Sequence, residues 1–251
     1  MMGNGLTLAQ SWGLVSWDFN DIPNSTNTRI YWWKNSTASA ANWPDYGRWN
    51  NDLIQTSAGN QPQVVDPPST TAGTAPDFEE NDEHFYDLTH QIDLPAERNW
   101  LICFACKLES HDDKATMFSS DITTGGGHFI EFKDEETIRV KSNAATSIIK
   151  VTGGAVWAAG SDFVLTLYRD SNGAFTVYKN TSKLTIHTGT STNYTDNDGS
   201  FELNNMCSKH GTSRYFDGLV YEVVLANQVD SLVDADILKV ATTMCSGLDI
   251  E

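Results

Sequence analysis

Basic residues are scarce in this sequence: 16 lysines and arginines stand against 33 aspartates and glutamates, for a formal net charge of −17. A surface of that sign repels phosphate, which argues against nucleic acid and anionic membranes as partners, and no Lys/Arg cluster along the chain offers a local exception. Long apolar runs are also missing. No stretch of about 18 or more apolar residues occurs, so no membrane insertion is expected. The opening "MMGNGLTLAQSWGLVSW" lacks a basic region followed by an apolar one and does not read as a secretory signal. The expectation is either a leader already removed or synthesis in the cytosol.

Cysteine is sparse and badly spaced for metal. Cys103 and Cys106 sit in "NWLICFACKL", which reads as a strand. Residues three apart on a strand point to opposite faces, so the two share neither a disulfide nor an ion easily. Cys207 and Cys245 complete no zinc spacing, and all four read as free thiols of the core or its edge. Catalytic signatures are absent as well. There is no Gly-x-Ser-x-Gly elbow, the six histidines show no pairing, and "TTGGGHF" is followed by neither lysine nor helix, so it reads as a turn between strands.

What the sequence does have is short, β-branched and aromatic segments divided by turn signals. "GLVSWDFND" alternates, with Val15, Trp17 and Phe19 on one face. A long polar segment spans Ile22 to Gln61, and "QPQVVDPPSTTAGTAP", with four of the seven prolines, reads as an extended surface loop. From His84 on, "HFYDLTHQIDL", "NWLICFACKL", "ATMFSSD", "HFIEFKD", "TIRVKS", "TSIIKVT", "DFVLTLYRD" and "AFTVYKN" follow one another as strands. One segment has helical period: Ser231 to Met244, with Ser231 as its cap and Val233, Ile237, Val240, Ala241 and Met244 as its apolar stripe. The fold class is therefore all-β, a two-sheet antiparallel β-sandwich or jelly roll with one short C-terminal helix. Residues 1–13 read as an N-terminal arm and 14–251 as the sandwich.

The last strand, "RYFDGLVYEVVLAN", is expected to be central and packed on both sides. Phe216, Val220, Glu222 and Val224 are expected on one face, and Tyr221, Val223 and Leu225 on the other, with the helix lying across the sheet edge. The order Phe216, Gly218, Val220, Glu222, Val223, Val224, Asn227, then Ser231 and a helix holding Ile237-Leu238, resembles the C-terminal signature of concanavalin A-like lectin/glucanase domains, nearest the laminin-G-like jelly-roll branch. "GLVSWDFND", "RWNNDLIQTSAGNQPQVV", "LICFACKL" with "ATMFSSD", and "FVLTLYRDSNGAFTVYKNTSKL" are similar to earlier pieces of that family, in order. The resemblance implies two facing sheets of roughly a dozen strands. It implies no single function, since the family holds lectins, hydrolases, adhesion modules and viral coat proteins.

The family's hydrolases carry alternating carboxylates on one strand, a nucleophile and an acid about 5 Å apart. "EFKDEE" and "EENDEHF" both fail that spacing, so no enzyme is expected. Sugar binding needs ring faces beside planar polar groups. The candidates are Trp32, Trp33, Trp43, Tyr46 and Trp49, with Asp45 and Asn50; the alternative is that these rings fold under and hold a long loop down. Calcium is the one cofactor considered, at Asp18 and Asn20 or at Asp196 and Asp198. Glu222, a carboxylate in an apolar strand, is expected to pair with Arg214 or a backbone N–H. Asn-x-Ser/Thr patterns at Asn24, Asn35, Asn180 and Asn193 read as chance in so Asn- and Thr-rich a chain.

The function expected is a non-enzymatic structural protein on the surface of a virus or phage particle: a capsid decoration, head-fibre or tail component. Its partners would be coat or tail subunits or further copies of itself, with host glycan as an additional ligand. The alternatives are a carbohydrate-binding or adhesion module at a cell surface, and a diverged glycoside hydrolase or polysaccharide lyase.

Overall fold

The computed structural model describes residues 19, 22–34, 36–47, 49–67, 73–95, 97–110, 114–121, 127–141, 146–187 and 201–250; for 24–27, 146–148 and 201 it describes the backbone alone. The strands in chain order are β1 (Asn24–Trp33), β2 (Asn42–Trp43), β3 (Leu53–Ile54), β4 (Gln63–Val65), β5 (Ala75–Phe78), β6 (Tyr86–Leu94), β7 (Asn99–Leu108) and β8 (Ala115–Ser119). They continue as β9 (Phe129–Asp134), β10 (Thr137–Lys141), β11 (Thr146–Lys150), β12 (Asp162–Arg169), β13 (Phe175–Lys179), β14 (Ser182–Lys183), β15 (Phe201–Met206) and β16 (Gly218–Val229). One helix, α1 (Asp234–Leu248), follows. The eight segments read as strands from His84 onward are β6 to β13.

Two eight-stranded antiparallel sheets result. The first runs β14-β13-β12-β7-β16-β5-β4, and β1 joins it on β16; the second runs β11-β10-β9-β8-β15-β6-β3-β2. Between them lies a core that includes Trp33, Trp43, Trp100, Phe104, Phe118, Phe132, Trp157, Phe163 and Phe216. Each such ring taken from water contributes roughly 1.5–3 kcal/mol. A second core lies on the other face of the first sheet, where Leu101, Cys103, Val164, Tyr221 and Val224 meet Ile237, Val240, Met244 and Leu248 of α1. The helix therefore lies over the face of the sheet, against β12 and β7, and not across its edge. It begins at Asp234 without a Ser231 cap. Asp236 instead accepts the Val233 N–H at 3.1 Å.

β16 is central, as its two-sided apolar pattern implies. β7 runs along one side; β5 covers its first residues on the other side and β1 the rest. Its faces differ from the expected alternation. The pairing with β7 skips Tyr221, which leaves a bulge between Val220 and Glu222. A bulge adds one residue and inverts the alternation beyond it. Val220, Val223 and Leu225 consequently face the second sheet, while Tyr221 and Val224 face the helix side. Gly218 enters the strand at φ +133°, where a Cβ would lie 2.1 Å from the Lys107 carbonyl oxygen, so no other residue fits.

Two further expectations are corrected. The polar segment from Ile22 to Gln61 holds three strands, β1 to β3. β1 escapes the alternation test because Ile30 faces the helix-side core while Tyr31 and Trp33 face the inter-sheet core. The proline-rich segment holds β4 and β5 at the rim of the first sheet, where a residue without an N–H such as Pro76 is tolerated. The cysteines are as expected: all four are free and buried, with Cys103 on the helix side and Cys106 between the sheets. Burial raises each thiol above its ordinary value, Cys245 to about 11.

Candidate functional site: an aromatic loop beside β1

The five aromatics of the polar segment divide into two groups. Trp33 and Trp43 are fully buried and offer no ring face to a ligand. Trp33 stacks on Tyr31 with centroids 6.2 Å apart, and its indole N–H donates to the Asn51 carbonyl at 3.0 Å. The Trp43 N–H donates to the Lys34 carbonyl at 2.8 Å. A large ring with a satisfied polar edge is a core residue, and these two fasten the loop between β1 and β3 to the sandwich. Their candidacy as sugar-binding residues is corrected on that ground.

Tyr46 and Trp49 lie outside, 49% and 44% exposed. The Arg29 guanidinium sits 4.6 Å from the centroid of the Trp49 ring, a cation–π contact that holds it. Trp32 is half-buried and packs against the helix-side core. Phe19 meets it edge-on at 5.2 Å, Lys34 lies 5.0 Å from its centroid, and its indole N–H donates to Glu222 Oε1 at 2.6 Å. Glu222 thus has Trp32 as a partner, while Arg214, the partner expected from the sequence, pairs with Glu131.

Asp45 positions this loop. Its Oδ1 accepts the backbone N–H of Trp32 at 2.8 Å and of Gly47 at 2.7 Å, and its Oδ2 accepts that of Asn51 at 2.9 Å. The Tyr46 N–H then donates to the Trp32 carbonyl at 2.7 Å, so the loop runs as a short pseudo-strand along β1. Burial raises the Asp45 carboxyl above its ordinary value, and the three N–H donors pull it back. Gly47 is needed for the close approach: a Cβ there would stand 2.1 Å from the Ile30 carbonyl oxygen. Asp45 is thereby consumed in holding the loop, and Asn50 turns it at φ 53°. The site is a surface platform. Two cavities, about 200 and 290 Å³ and lined mostly by polar groups, lie elsewhere, at Glu97–Asn99 with Gln228–Ser231 and at Asp134–Thr137 with Lys150.

The calcium candidates Asp18, Asn20, Asp196 and Asp198 all lie outside the described residues, as does the arm over 1–13. A different carboxylate group has ligand spacing. Asp77, Glu79 and Glu109 bring one oxygen each to within 4.8 Å of one another at the β5–β16–β7 end of the first sheet. Desolvation first, then mutual repulsion with Glu109 and Asp217, raises Asp77 and Glu79 above their ordinary values. Hard oxygens so placed are of the kind that holds a divalent cation. Nothing in the sequence indicates that Glu109 joins Asp77 and Glu79.

No family model matches the chain, and no curated protein matches it by sequence. Solved structures do match in fold. The binding domain of Paraclostridial Mosquitocidal Protein 1 aligns with a TM-score of 0.57 at 12% identity, covering 85% of this chain and 52% of that one. The botulinum neurotoxin serotype G binding domain aligns with 0.52 at 11%, covering 87% and 51%. The Trypanosoma rangeli sialidase, in complex with the inhibitor DANA, aligns with 0.54 at 11%, covering 85% and 32%. This chain thus spans about half of those toxin domains and about a third of the sialidase. At such identities the likeness is one of fold, and it agrees with a two-sheet antiparallel β-sandwich.

Proposed function

We propose that this chain is a non-enzymatic carbohydrate-binding module whose ligand packs on Tyr46 and Trp49. One observation carries the reading. Two aromatic rings stand out in water on a loop that a buried aspartate, a required glycine and two buried tryptophans hold rigid. The C–H faces of sugars pack on exposed rings of this kind. Rigid mounting keeps the ordering cost of binding low. Two of the similar structures are binding domains by description, which supports the same reading by analogy of fold. A place on a virus or phage surface, with coat subunits as partners, rests on fold analogy alone and has no residue behind it.

A glycan array tests this. The wild-type chain is expected to bind a defined set of glycans, with the signal lost in Trp49→Ala and reduced in Tyr46→Ala, while both variants melt like the wild type. Equal signals from the wild type and Trp49→Ala, or none from a folded wild type, would overturn it.

A further inference from the structure

The sequence shows no basic cluster, yet the fold builds one. On the outer face of the second sheet, Arg139 of β10, Lys209 and Arg214 surround the ring of Phe129 on β9. Their charged groups stand 4.8, 5.2 and 5.7 Å from its centroid. The ring is 3% exposed because the cations cover it. Beside it lies Glu131, wholly buried, paired with Arg139 and, at 3.1 Å, with Arg214. One carboxylate thus faces three cations, two more positive charges than its own sign requires. Crowding tells on Lys209: burial first, then Arg214, Lys141 and Arg139, lower its pKa. The Arg139 Nε finds no hydrogen-bond acceptor among the described residues, although the atom is buried.

In a chain of net charge −17 these side chains are not steering a polyanion. They form a small, preorganised positive site whose arginine forks already hold one carboxylate and whose remaining charge suits a second. The geometry points to a binding site for a carboxylate-bearing sugar residue at Arg139, Lys209 and Arg214, which the buried Phe129 ring supports from beneath. It stands apart from the Tyr46–Trp49 loop. That loop runs along β1 of the first sheet, whereas β9 and β10 belong to the second, so either site can fail alone.

Calorimetric titration of the full chain with hyaluronan tetrasaccharide, neutral chitotetraose, sodium sulfate and a short single-stranded oligonucleotide tests the assignment. Hyaluronan tetrasaccharide is expected to bind more tightly than the other three and to weaken as salt rises. Lys209→Ala is expected to cost at least about tenfold in affinity and Lys209→Glu more, whereas Lys209→Arg retains binding. These variants spare the two arginines that hold Glu131, and near-ultraviolet circular dichroism checks that each is folded. Chitotetraose, sulfate or the oligonucleotide binding as tightly as the acidic saccharide would overturn the assignment. So would a folded Lys209→Glu that binds like the wild type.

Discussion

At the scale of single residues, the tryptophans of the polar segment are alike in sequence and opposite in role. Truncating Trp33 removes a filled volume of the core and an indole hydrogen bond, so Trp33→Ala is expected to lose about 3–5 kcal/mol in urea unfolding. Trp49→Ala, on the surface, is expected to stay within about 0.5 kcal/mol of the wild type. Equal losses would contradict the division of the segment into anchors and platform. Asp77 and Glu79 give a pH signature. Their folded pKa values lie above the unfolded ones, so each binds its proton more tightly when folded. Their penalty is absent below the ordinary carboxylate range, grows as pH rises through the raised values, and is complete above them. Asp77→Asn is therefore expected to raise the melting temperature at pH 7 and to leave it unchanged well below pH 4, which melting curves across pH would check. Divalent calcium is expected to act in the same direction at pH 7, by screening these groups.

At the scale of elements, β16 shows where pattern reading works and where it stops. Its run of apolar residues on both faces marks a central strand, and it is one. The bulge at Tyr221 does not show in the apolar pattern, because valines, tyrosine and leucine stand on both faces of the strand; pairing with β7 fixes which face inward. β2 and β3, two residues each, are made by tertiary pairing and have no periodicity to read. β1 is hidden by the opposite cause, since both its faces are buried where it borders β16. Gly218→Ala is expected to break the start of β16, at a cost of at least about 2 kcal/mol measured by chemical unfolding. A variant as stable as the wild type would show that the close approach to Lys107 is not required.

At the scale of the whole molecule, the sandwich was legible because β6 to β13 are short β-branched and aromatic segments divided by turn signals, and the last strand and helix keep a recognisable order. The sites were less so. The aromatic loop was visible as a cluster of rings, but which rings face water depends on burial that only the fold decides. The positive site was invisible, since Phe129, Arg139, Lys209 and Arg214 come from three separate segments that the sheet and its flanking loop bring together. The net charge of −17 adds a global term. Self-repulsion falls with screening, so the melting temperature is expected to rise by about 2–4 °C, or roughly 1 kcal/mol, between about 20 mM and 0.3 M salt. A fall with salt would show that attractive pairs dominate.

The indole N–H region of a ¹⁵N–¹H spectrum, recorded during titration with the glycan that binds best on the array, reads the platform directly. The resonance of Trp49 is expected to shift, while those of the buried Trp33 and Trp43 stay in place. A saturating glycan that leaves Trp49 unmoved would contradict the account.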